Sequence, residues 1–197
     1  MPLRLPRPPA ELVDAFEAER IRTDAVEAAI VADLVKRGEA EPPRARGPEK
    51  MWLLGAVPVE GLPRGSVLGP GLMDALRTRC WRFFVGMDDG GHAELDYRGG
   101  TIIAARHVPP GHDHWLGFLS RAMLLWARQT GGNNEARLIE LPGIAVRAVR
   151  AAGPDPGVIL DEGWSTGSHG MPMDEAVFVS YVIARYKEKR AAAQQEG

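Results

Sequence analysis

The sequence predicts an α+β protein with a mainly antiparallel sheet, and three stretches carry that prediction. Residues 81–107 alternate with a period of two between glycine-rich breaks, as an antiparallel meander requires. Residues 137–151 repeat the pattern on either side of Pro142-Gly143, as a hairpin. Residues 112–130 read as a helix with apolar side chains on most sides (Trp115, Leu116, Phe118, Leu119, Met123, Leu124, Leu125, Trp126), leaving only a thin polar stripe at Arg121 and Arg128. Such a helix is expected to be buried across the sheet.

The remaining elements follow in chain order. Residues 1–8 are rich in Pro and Arg and read as an extended arm with no part in a core. Pro9 suits the first turn of a helix, Glu11 and Asp14 complement its dipole, and Leu12, Val13 and Phe16 form an apolar stripe. A second stripe, Val26, Ile30 and Leu34, follows Asp24 and Glu27, spaced as a capping pair; one helix over 9–38 or two meeting near Thr23 fits equally, with Gly38 as the stop. Residues 39–50 make a polar, Pro-rich linker. The expected organisation is therefore an arm and helical unit over 1–41 and an α+β core domain over 42–197, with the helical unit suited to docking on a partner.

Met51–Val59 reads as a strand and Pro70–Arg79 as a short helix turning Met73 and Leu76 inward. In the meander, Trp81, Phe83, Val85 and Met87, then Ala93, Leu95 and Tyr97, then Ile102 and Ala104 are expected to share one core face, with turns at Asp88–Gly91 and Arg98–Gly100. Val158–Leu160 adds a strand, and 161–172 is a Gly/Ser-rich loop. Asp174–Arg190 reads as a helix with acidic residues first and basic residues last, although the β-branched centre Val177–Ile183 also fits a strand.

Composition bounds the function. A chain of 197 residues, 45% hydrophobic, can bury one sizeable core. Its net charge is −2, from 24 basic and 26 acidic side chains mixed along the chain, which gives no electrostatic footprint for nucleic acid or an anionic membrane. The sequence offers neither a membrane-spanning run nor an apolar signal core. Cys80 is the sole cysteine, so no internal disulfide forms and a cytoplasmic location is expected. Arginine exceeds lysine 20 to 4, which suits GC-rich coding DNA and a bacterial source.

Two constellations could carry chemistry. His107, His112 and His114 fall within eight positions where a strand gives way to a helix, and Pro109-Pro110-Gly111 could aim them at one point. Three imidazoles with an open position would suit zinc or iron in a small metal-dependent enzyme, a hydrolase or an oxygenase. The spacing matches no established metal motif, and Asp113 as an ordinary helix cap with exposed histidines beside it is the favoured reading. In the second, His92, Glu94 and Asp96 alternate onto one strand face, where they could bind a metal or exchange protons. His-Ala-Glu also opens the zinc deaminase signature, but the Pro-Cys-x-x-Cys that completes it is missing. A solvent-facing strand surface, with Arg82 or Arg106 as cross-strand charge partners, is favoured.

Weaker features are Ser165–Gly170, hydroxyls beside His169 without a nucleophile-elbow context, Gly65–Gly71, a glycine-rich turn without the Walker lysine, and Cys80, read as an inert core thiol. The expectation is thus a non-enzymatic protein that needs no cofactor and binds another macromolecule or builds an oligomer. Adaptor, immunity, chaperone-like and phage-type structural roles all fit, with a protein or a second copy as partner rather than nucleic acid or membrane. Five Trp and seven Met supply more large apolar surface than one core of this size readily hides. A small-molecule site under the helix 112–130 is the third class considered.

Overall fold

The computed structural model describes residues 3–20, 52–66, 68–87, 90–112, 114–127, 133–161 and 172–195. They form a helix over 10–20 (α1), β1 (Trp52–Gly61), α2 (Leu72–Ala75), β2 (Arg77–Gly86), β3 (His92–Arg98), β4 (Thr101–Val108), α3 (Trp115–Ala127), β5 (Glu135–Leu141), a 3-10 turn (Pro142–Ile144), β6 (Val146–Ala152), β7 (Gly157–Leu160) and α4 (Glu175–Gln195). The strands join in one sheet in the order β4-β3-β2-β1-β5-β6-β7. Contacts between β1 and β5 are parallel, while β3–β4, β5–β6 and β6–β7 are antiparallel. The α+β class, the meander and the 137–151 hairpin are as the pattern predicts, and Val177–Ile183 is helix rather than strand.

The contacts group into two compact units: residues 1–6, 57–81 and 113–197, and residues 7–56 and 82–112. In the first, alternation gives the sheet two packed faces. Ile139, Leu141, Val146, Ala148, Val158 and Leu160 point to one side, where α2 and the first half of α4 cover them through Leu72, Met73, Phe178, Val179 and Val182. Leu138, Val149 and Ile159 point the other way and are also buried. There α3 lies across the strands, with the Trp115 ring 4.0 Å from the Arg147 guanidinium on β6 and the Trp126 ring filling the space above Gly157 on β7. Only one side of α3 is hidden, however. Leu124 is 66% exposed, so the broad apolar surface of this helix is not sandwiched as its composition suggested.

The Pro/Arg arm corrects its expectation. Arg4 forms a parallel bridge with Glu135, accepting from the Ala136 N–H at 2.8 Å and donating to the Asn134 carbonyl at 3.0 Å, and Leu3 is buried. Backbone hydrogen bonding needs no apolar composition, which is why the pattern of the arm did not betray it. The strand β2 also begins at Arg77, where a helix running to Arg79 was expected; Leu76 ends α2 in extended backbone.

The second unit is built around Phe16. Its ring stacks on Phe83 at 3.9 Å and meets Tyr97 edge-on at 5.8 Å, so α1 folds onto its own meander. Part of the apolar stripe over 10–20 is thus covered within the chain itself, while residues 21–38 and the 39–50 linker, which complete the stretch expected to dock, lie outside the described residues. Gly99 and Gly100, both at positive φ, make the tight β3–β4 turn that only glycine adopts without strain. A register shift between Asp96 and Tyr97 sets Ala104 opposite Asp96 but Ile102 opposite Tyr97, so Ile102 and Ala104 do not share the single face expected of them.

Candidate functional site

The three clustered histidines fall on three different parts of the fold. His107 lies on β4 and is exposed, His112 is exposed in the loop after it, and His114 is buried just ahead of α3, its carbonyl accepting the Phe118 N–H. Among the described residues no three His, Cys, Asp or Glu side chains come together in a group able to hold a metal ion. Three ligands on a strand, a loop and a helix start converge only if the intervening backbone doubles back. Here the His112 N–H bonds to the Pro109 carbonyl in a local turn instead. Ser165–Gly170 lies outside the described residues.

The strand face of His92, Glu94 and Asp96 is real but not solvent-facing. Glu94 is 4% exposed, and Arg82, on the neighbouring strand, is 7% exposed. Arg82 grips Asp96 with two parallel hydrogen bonds, 2.6 Å from Nε and 2.8 Å from Nη2, which is the cross-strand pairing anticipated for this arginine. His92 Nε2 stands 3.5 Å from Glu94 Oε1, and Arg106 faces Glu94 in the β3–β4 register. With the carboxylate of Asp96 held by a guanidinium, the face reads as a buried charge-pairing surface, not an acid–base pair open to substrate.

A second buried ion network was not foreseen. Glu60 on β1, 2% exposed, accepts from Arg137 at 2.8 Å and from Arg150 at 3.4 Å, and Arg150 continues to Glu175 at 2.7 Å. Two carboxylates and two guanidiniums cancel, and the chain of bonds ties the first turn of α4 to three strands. Its members are 90 and 115 positions apart at the extremes (Glu60 to Arg150 and to Glu175), so no local motif could announce it.

Under α3, where a small-molecule site was one of the classes considered, Trp115, Phe118, Leu119, Ala122 and Trp126 are buried. Gly65–Gly71 leads into a four-residue helix without a side-chain cap, and Cys80 is buried and forms no disulfide, in keeping with the ordinary readings. A cavity of about 580 Å³ opens instead where β1 and β5 end, with Arg79, Tyr186 and Arg190 around it.

The strand β4 is largely exposed. Among the described residues it ends the strand order, with β3 its one strand neighbour, and Thr101 and Ile103–His107 are exposed, Ile103 at 47%. Its sequence, Thr-Ile-Ile-Ala-Ala-Arg-His-Val, has no proline and no acidic residue to discourage another strand from pairing. The described helices include none long and apolar enough to cross a membrane. No protein-family model, curated protein or solved structure matches this chain, so its function is read from its own geometry.

Proposed function

We propose that this is a non-enzymatic protein that assembles with a second copy of itself by antiparallel strand addition along β4. The supporting observation is the exposed, uncharged-to-basic edge strand with Ile103 and Ala104 open to solvent. Backbone donors and acceptors on such an edge supply affinity and neighbouring side chains supply specificity. Pairing about a two-fold axis between Ala104 and Ala105 sets Ile103 against Arg106 and Ile102 against His107. No like charges meet directly, and the two small alanines at the axis let the backbones approach. The assembly surface thus moves from the N-terminal helix, whose Phe16 is already occupied, to the far strand of the meander. A cytoplasmic setting in a bacterial cell fits this reading, since a lone buried thiol is stable in a reducing compartment.

Light scattering on the full chain tests it. A dimer is expected at roughly 100 μM, a concentration that populates interfaces of modest affinity. The Ile103→Lys/Ala104→Lys variant should be monomeric with an unchanged far-UV spectrum and melting temperature. A monomeric wild type, or a variant that still dimerises, would overturn the proposal.

A further inference from the structure

Strands β1 and β5 run parallel, Val59 beside Leu138 and Glu60 beside Ile139, so their carboxyl ends open on the same side. From there the chain leaves β1 towards β2 and leaves β5 towards β6, in opposite directions along the sheet. Connections that diverge in this way leave a crevice between the two strand ends, the place where open sheets with parallel neighbours take up ligands. The cavity of about 580 Å³ lies there, a volume suited to a small molecule.

Its lining divides by chemistry. The floor is apolar: Leu62, Leu68, Leu141 and Ile144, which belong to or pack against the main core. The charged part is mostly cationic, with Arg79 from β2 and Arg190 from α4 against the single carboxylate of Glu140. Glu140 faces Arg147 across β5 and β6 and has a partner of its own. Among the described residues, neither the Arg79 nor the Arg190 guanidinium takes part in a hydrogen bond or an ion pair. Tyr186, 40% exposed, adds a phenol to the lining, four residues before Arg190 on α4.

Gly61 indicates that the position of Arg79 is built in. This glycine ends β1 and does not have the positive φ that would call for glycine. The space is what it provides: a Cβ here would collide with Cδ of Arg79 and come within 3.3 Å of its Nη1. The missing side chain leaves room for the arginine beside the end of β1, where it lines the crevice.

We propose that this crevice binds a small amphipathic monocarboxylate, its apolar body on Leu62, Leu68, Leu141 and Ile144 and its anionic group between Arg79 and Arg190. Two guanidiniums, neither paired among the described residues, supply the charge-assisted hydrogen bonds a carboxylate accepts, and the apolar floor removes the tail from water.

Calorimetric titration with octanoate, octan-1-ol and acetate tests the assignment. Octanoate should bind measurably, and octan-1-ol and acetate at least about tenfold more weakly, because each lacks one half of the recognition. Arg79→Gln and Arg190→Gln should each weaken octanoate about tenfold, the usual cost of one charge-assisted contact. Gly61→Ala should weaken it by displacing Arg79, with an unchanged melting temperature reporting an intact fold. Absence of octanoate binding, equal binding of octanoate and octan-1-ol, or equal binding of octanoate and acetate would overturn the proposal. So would an Arg79→Gln/Arg190→Gln protein that binds octanoate as the wild type does. None of these outcomes bears on whether β4 mediates dimerisation.

Discussion

The sheet has two edge strands, and they are finished in opposite ways. All four residues of β7 are buried. Beyond it, Met173 takes the place of a further strand, exchanging two backbone hydrogen bonds of 2.9 Å with Val158. The Trp126 ring covers Gly157, and the Asp161 N–H, just past the strand end, returns to the Arg147 carbonyl. On β4, by contrast, only Val108 is buried and six of eight positions are exposed. An edge left open exposes a template for pairing, and proteins generally blunt it with proline, inward charge, bulges or cover. One end of this sheet is so treated. At the other, a bulge between Asp96 and Tyr97 distorts the β3–β4 pairing, yet the outer strand keeps apolar residues in the open, which is why β4 carries the proposed function.

The contrast can be broken at the closed edge first. Replacing Trp126, 4% exposed, by alanine should empty the space over Gly157 and cost about 3–5 kcal/mol in denaturant unfolding. A loss much below that would mean that α3 does not seal β7. Gly157→Ala attacks the same contact from the strand side by pressing a methyl group into the indole. Overpacking of this kind costs about 1–3 kcal/mol, read as a lower denaturant midpoint at unchanged slope.

Met173→Pro removes the N–H that Val158 accepts and should cost about 1 kcal/mol, the net worth of one backbone hydrogen bond, with amide exchange at Val158 accelerating in step. Smallest in stability is Ile103→Lys on the open edge. It should stay within about 0.5 kcal/mol of wild type, as surface changes do, while weakening self-association in sedimentation. If that variant instead unfolds the protein, β4 is part of the core and the comparison between edges fails.

Much of the fold was legible in the pattern of residues. The β2–β4 meander, the β5–β6 hairpin, α3 and α4 each rest on local periodicity, and turns such as Gly99-Gly100 depend on backbone freedom that the residue type declares. The pairing of Arg82 with Asp96 was legible too, because alternation places both on the faces of neighbouring strands. The candidate sites were far less so. A cluster of histidines is conspicuous in one dimension, but His107, His112 and His114 occupy a strand, a loop and a helix start, and adjacency along the chain does not make nitrogens converge. Arg79, Tyr186 and Arg190 carry no local signal, since an exposed arginine on a strand or helix looks like any solubilising residue until another element is set beside it.

By itself the sequence determined the α+β class, the identity of most strands and helices, and which side chains want to leave water, because hydrophobic period and turn chemistry act over a few residues. Tertiary structure decided what those elements are set against. It placed β1 parallel to β5, so that a crevice opens at their common end, and it recruited Arg4 to the side of β5 through backbone bonds that no composition predicts. It also paired Glu60 with arginines on two other strands, closed β7 under Met173 and Trp126, and left β4 open. These outcomes depend on contacts between residues tens of positions apart, whose free energy exists only once the whole sheet has formed.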